Sequence, residues 1–105
     1  MRLLLMASAL ALAACATEPT AKLSSALVEE RSISQLQDDL AAGRSTSQAL
    51  VRAYLERIET IDRSGPQLNS VISVNPQALE QAQALDAERA AGRVRGPLHG
   101  VPILI

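Results

Sequence analysis

Cys15, Lys22 and His99 could each do chemistry, and each is the single residue of its type in this sequence. A lone imidazole with no cysteine or paired carboxylates beside it is poor evidence for a metal, so we predict no metal site. Lys22 lies ahead of the helices predicted below, which argues against its use as a catalytic base. The ten serines are accompanied by no Gly-Gly or Gly-Ser-Ser loop that could hold a nucleophile beside oxyanion donors. We therefore predict no catalytic residue within the chain and no cofactor.

Cys15 follows a segment typical of an export signal. A short basic start precedes an apolar run, and that run is shorter than the roughly 20 residues needed to span a bilayer. Leu12-Ala13-Ala14-Cys15 resembles a bacterial lipobox, in which the cysteine is acylated and becomes the new N-terminus. We predict a signal peptide over 1–14, then a lipidated N-terminus and flexible tether over 15–31. The product would be an exported lipoprotein anchored in membrane lipid on the periplasmic or cell-surface side. The alternative is an ordinary secretory signal in which the cysteine is incidental.

The charge balance argues against a strongly charged binding partner. Ten basic and eleven acidic residues leave a formal net charge of −1. Nothing in this balance favours contact with a phosphate backbone, so we predict no binding to nucleic acid. Arg89, Arg93 and Arg95 cluster, but no aromatic residue lies among them. We interpret the cluster as a solvated helix end and loop.

Two similar capping patterns predict the first two helices. Ser32-Ile33-Ser34-Gln35 matches a capping box, and the short helix that it opens ends at Gly43. Ser45-Thr46-Ser47-Gln48 repeats the pattern and opens a longer helix with one apolar face. Ser64-Gly65-Pro66 ends this second helix.

Two strands and a third helix are predicted in the remainder. The β-branched segment 69–74 predicts a short strand, and Asn75-Pro76 provides the N-cap and first residue of the next helix. This helix runs to about Ala91 and stops at Gly92. The nearly continuous apolar run 101–105 is typical of a strand buried on both faces.

The element order helix, helix, strand, helix, strand is the opening of an α/β layer architecture. We assign residues 32–105 to the N-terminal part of an incomplete domain. The reason is that a free carboxylate on Ile105, directly after an apolar strand, would place a charge where burial is predicted.

A turn rich in glycine and proline separates the third helix from the last strand. It holds the candidate site residues Gly96, Pro97, His99 and Gly100. The histidine has no identifiable partner in the sequence, and we interpret it as a residue that stabilises the turn instead of one that does chemistry.

The stretch from Ile33 to Ile105 resembles the N-terminal region of the amidase signature family. The resemblance rests on the order of the elements and, most specifically, on Gly96-Pro97-Leu98-His99-Gly100-Val101-Pro102-Ile103. It implies a mixed-sheet α/β fold and hydrolysis of carboxamide C–N bonds by a Ser–cisSer–Lys mechanism. In that family the turn leads into a central strand that carries the lysine, which is expected immediately after Ile105.

The resemblance therefore predicts the N-terminal fragment of an exported amidase. The fragment alone would be inactive, and a small amide substrate would bind only to the full-length form. One alternative is a small lipoprotein of amidase ancestry that binds or supports a partner without catalysis. A second alternative is chance resemblance in an alanine-rich α/β fragment.

Overall fold

A computed structural model describes residues 25–105, and these residues form a helical assembly. Helix α1 spans Ile33–Ala41, α2 spans Ser47–Arg57, and α3 spans Ala78–Ala90. A π-helical segment, Ile58–Arg63, continues directly from the end of α2. Among the described residues no helix has the length and apolar character needed to cross a bilayer. The predicted signal peptide and the lipidation site at Cys15 lie outside the described residues.

The predicted capping box opens α1. The backbone N–H of Gln35 donates to Ser32 Oγ over 3.2 Å, and the Ser32 N–H donates to Gln35 Oε1 over 2.9 Å. These reciprocal bonds satisfy two donors that have no partner within the helix. Gly43, at φ 71°, follows the end of the helix in the left-handed conformation that glycine adopts most easily. Both ends of α1 are therefore confirmed.

Replacement of Ser32 by alanine should lower the free energy of unfolding by about 1 kcal/mol, because the first turn of α1 loses its acceptor. Urea unfolding followed by circular dichroism measures this change. Ser73→Ala is the matched control, since Ser73 is exposed in a loop outside the helices. Equal effects of the two substitutions would contradict a capping role for Ser32.

The N-cap of helix α2 lies one residue later than predicted. Its N-cap is Thr46 and not Ser45, and Thr46 Oγ1 accepts from the Ala49 N–H over 3.1 Å. The hydroxyl of Ser45 is buried and has no hydrogen-bond partner within residues 25–105. A distant side chain also binds this terminus, because the Asp86 carboxylate accepts from the N–H of Ser47, the first residue of the helix.

Helix α3 also begins later than predicted. Its N-cap is Gln77, whereas Asn75 and Pro76 belong to a preceding turn. In that turn Asn75 Oδ1 accepts from the Gln77 N–H over 3.0 Å, so the asparagine side chain stabilises the turn and not the helix terminus. The predicted stop is confirmed, since the helix ends at Ala90 and Gly92 follows at φ 77°.

The two predicted strands are absent from residues 25–105, where 69–74 and 101–105 form irregular segments and Asn69 lies at φ 51°. A strand requires a ladder, and the donors of the first segment are used elsewhere. The N–H groups of Ser70 and Val71 both donate to the Asp62 carboxylate. Ile72 is 98% exposed, which places it far from any core face. The α/β prediction is therefore not met by the described residues themselves, which are helical.

The buried core is small and aliphatic, as expected for a chain with no phenylalanine or tryptophan. It consists of Val28, Leu36, Leu40, Leu50 and Ala53, with Leu27, Tyr54 and Val101 packed against it. Val28 shows that the last part of segment 15–31, predicted as a tether, contacts the helices. Helix α2 also packs against α3, and this contact brings the turn after α3 to the start of α2.

Candidate functional site

The turn at residues 96–100 is held to α3 through His99. This side chain is only 6% exposed. Its Nε2 lies 2.8 Å from the Leu85 carbonyl oxygen, and its Nδ1 accepts from the Arg95 N–H over 3.2 Å. A carbonyl oxygen can only accept, so Nε2 carries the hydrogen and the ring is neutral. Both ring nitrogens are therefore occupied by backbone partners.

Gly100 brings the same turn against the start of α2. It lies at φ 81°, and a Cβ at this position would come within 2.0 Å of Ser47 Oγ and 3.8 Å of Leu40 Cδ1. Only glycine combines this backbone conformation with so close an approach. Ser47 is 1% exposed, and its hydroxyl has no hydrogen-bond partner within the described part of the chain.

The arginine cluster contributes to the same anchoring. Arg89 Nη2 donates to the His99 carbonyl oxygen over 2.9 Å. Arg95 donates two hydrogen bonds to the Glu88 carboxylate. The bond from Arg95 Nε is 2.7 Å long. The prediction of a wholly solvated cluster is wrong for Arg89, which is half-buried; Arg93 is exposed as predicted.

Asp86 joins the end of α3 to the start of α2. Its two carboxylate oxygens accept from the N–H of Ser47 over 2.7 Å and of Gln48 over 3.1 Å. These are donors of the first turn of α2, where negative charge is favourable. Sequence reasoning missed this residue, because 38 or 39 positions separate the partners and no local pattern marks the pair.

Asp62 was also missed and anchors the loop after the π-helical segment. Its carboxylate accepts from the hydroxyl and the N–H of Ser70, and from the N–H of Val71 over 3.1 Å. The Ser70 hydroxyl, followed by these backbone donors, holds the pKa of Asp62 below its usual range despite desolvation.

Two further carboxylates have lowered pKa values because arginines bind them. The hydrogen bond from Arg44 holds the pKa of Asp39 below its usual range, with Arg31 adding to the effect. The hydrogen bond from Arg95 does the same for the pKa of Glu88.

Stability should fall in acid. When the pKa of a carboxyl group is lower in the folded state than in the unfolded state, its contribution to stability is fully present above the unfolded-state pKa. That pKa is about 4 for these carboxyls. The contribution is lost as the pH falls through the lower folded-state pKa. Urea midpoints should therefore decline between about pH 5 and pH 2. Asp62→Asn should flatten this decline, whereas Asp38→Asn, at an exposed carboxylate without a resolved pKa shift, should not. A decline unchanged by Asp62→Asn would contradict the assignment.

The contacts of His99 and Gly100 hold the turn against α2 and α3. Within residues 25–105 no group of three or more His, Cys, Asp or Glu could hold a metal. An open groove of about 400 Å³ runs along the turn between Leu85 and Val101, and its lining is mainly apolar. Gly96, Pro97, His99 and Gly100 thus lie together; their place ahead of an active-site strand stays a prediction.

Comparison with known proteins places this turn in a family. Residues 49–105 match the family described as Amidase. This chain is 38% identical over 87 residues to a protein of Schizosaccharomyces pombe (strain 972) that is named amidase C869.01. The match covers 83% of this chain and 14% of the yeast protein. A glutamyl-tRNA(Gln) amidotransferase subunit of Pseudomonas savastanoi pv. phaseolicola is 43% identical over 77 residues, covering 72% of this chain and 15% of that protein.

A solved structure gives the same result. The native peptide amidase of Stenotrophomonas maltophilia is 49% identical and superposes with a TM-score of 0.69, covering 70% of this chain and 15% of the amidase. That enzyme has the α/β amidase-signature fold, whereas residues 25–105 of this chain form helices and no strand. The chain therefore spans about 15% of the length of such relatives. From the match over 49–105 and these identities, the chain belongs to the amidase family.

Proposed function

We propose that this chain is the N-terminal part of an amidase that hydrolyses carboxamide C–N bonds outside the cytoplasm. The observation that carries the proposal is the 49% identity to a peptide amidase with a TM-score of 0.69. The turn at residues 96–100 lies within the matched family region.

The proposed reaction follows the Ser–cisSer–Lys scheme, and its residues lie beyond Ile105. A neutral lysine accepts a proton through the second serine from the nucleophilic serine, whose oxygen attacks the amide carbonyl carbon. The C–N bond then breaks, and the leaving nitrogen takes up the proton. Water hydrolyses the acyl-enzyme and restores the serine. In this scheme the described residues bind no reacting atom; they hold the segment that leads to the lysine.

Export and anchoring form a separate part of the proposal. The signal over 1–14 and the lipobox at Cys15 support a lipoprotein held by its acyl chains on membrane lipid. Mass spectrometry of the mature N-terminus tests this, since an acylated Cys15 is the expected first residue. An uncleaved or unacylated terminus would overturn it.

The catalytic proposal is tested on the protein encoded by the complete reading frame. We expect a lysine directly after position 105, a downstream loop rich in serine and glycine, and release of ammonia from primary carboxamides. Substitution of that lysine by alanine should abolish ammonia release. An intact frame that lacks these residues, or a folded full-length protein inactive on peptide amides, glutamine and small aliphatic amides, would favour a non-catalytic lipoprotein.

A further inference from the structure

We infer that Asp86 is a positioning residue: it holds the start of α2 against α3, and thereby sets the direction in which residues 101–105 leave the turn. The inference rests on the proposed function only for its catalytic consequence. The structural part concerns the described residues alone.

Asp86 makes a double contact with the start of α2. Asp86 Oδ1 lies 2.7 Å from the Ser47 nitrogen, and Oδ2 lies 3.1 Å from the Gln48 nitrogen. A carboxylate that accepts two backbone N–H groups makes charge-assisted bonds and also interacts favourably with the positive end of the helix dipole. The contact therefore fixes the start of α2 against the last turns of α3.

Leu85 and Ser47 connect this contact to the turn. Leu85, the residue before Asp86, accepts the hydrogen bond from His99 Nε2 at 2.8 Å. Ser47, which is bound by Asp86, is the residue against which Gly100 lies without room for a Cβ. Leu85 and Asp86 of α3, together with Ser47 of α2, therefore hold two consecutive residues of the turn, His99 and Gly100. A shift between the helices would break this closed set of contacts.

The segment that leaves the turn is held at Val101. The Val101 N–H donates to the Leu98 carbonyl oxygen over 3.1 Å, and the Val101 side chain packs against the buried core. After Val101 the chain becomes progressively exposed, with Ile103 at 64%. We expect the direction of residues 102–105 to be set at Val101 and at Gly100, which lies against the Ser47 that Asp86 binds.

The structural part is tested by NMR on the 105-residue chain, comparing Asp86→Ala, Asp86→Asn and the matched control Asp38→Asn. In Asp86→Ala, amide exchange at His99 and Val101 should accelerate about tenfold or more. The His99 ring ¹⁵N shifts should lose the pattern of the Nε2–H tautomer. Exchange at Leu36 and Leu40 should stay unchanged. Asp86→Asn keeps one acceptor oxygen and should rescue part of the protection.

Two results would overturn the structural part. One is unchanged His99 shifts and exchange in Asp86→Ala. The other is loss of all helices in both Asp86 variants, which would show a general role in folding and not control of the turn.

The catalytic consequence is tested on the full-length protein with a primary carboxamide. Asp86→Ala should lower kcat about tenfold to a hundredfold with KM nearly unchanged, because a small displacement of a reacting group is sufficient for such a loss. Asp38→Asn should leave both constants unchanged. Unchanged kcat alongside an altered turn would refute the catalytic part. If the unsubstituted protein lacks amidase activity, the proposed function fails, whereas the NMR result still decides the structural part.

Discussion

Gly100→Ala should lower the free energy of unfolding by about 3 kcal/mol, which would be among the largest effects of a single methyl group in this chain. Two penalties add. An L-residue in the left-handed region costs roughly 1–2 kcal/mol. The new Cβ, at 2.0 Å from Ser47 Oγ, also forces movement in a packed region, which costs about 1–3 kcal/mol. Urea unfolding followed by circular dichroism gives the total.

Gly92→Ala separates the two penalties. Gly92 has nearly the same conformation, φ 77°, but a Cβ there would meet no atom within 4 Å. Its substitution should therefore cost only the conformational part, about 1–2 kcal/mol. If Gly92→Ala were as harmful as Gly100→Ala, close contact with Ser47 would not be the cause.

Removal of the Ser47 hydroxyl provides a second check on the same contact. Ser47→Ala alone should be nearly neutral, because its Oγ is buried without a hydrogen-bond partner among residues 25–105. Combined with Gly100→Ala, it should recover part of the lost stability, since the 2.0 Å contact is relieved. A double-mutant cycle with no coupling would contradict the contact.

Leu50→Ala should cost about 2–5 kcal/mol, because the side chain is 0% exposed at the centre of a small core. The other fully buried members of this core are aliphatic, and Tyr54 packs only at its edge, so we expect the cavity to remain largely unfilled. The loss should be visible as a lower urea midpoint and a lower thermal midpoint.

Leu68→Ala is the matched control for this substitution. Leu68 is 64% exposed, so the same truncation should change stability by no more than about 0.5 kcal/mol. Similar losses at both positions would show that the core is not centred on Leu50.

The sequence alone determined features whose interactions are local. The capping box at Ser32 needs partners only three residues apart, and the structure confirms it. The stops at Gly43 and Gly92 follow from the left-handed conformation that glycine adopts without a steric penalty. The Gly-Pro-Leu-His-Gly turn also marked the family before any fold was known, because it combines several unusual residues in one short segment.

The tertiary structure alone decided contacts between residues far apart in the chain. Asp86 accepts from the N–H groups of Ser47 and Gln48 at the start of α2, a contact across 39 and 38 positions that no local pattern marks. Asp62 binds the N–H groups of Ser70 and Val71, so a segment of strand-like composition forms a loop. The residue types of a segment indicate the secondary structure that it favours locally. In the folded chain, however, each backbone N–H donates to whichever acceptor the packed helices bring within reach.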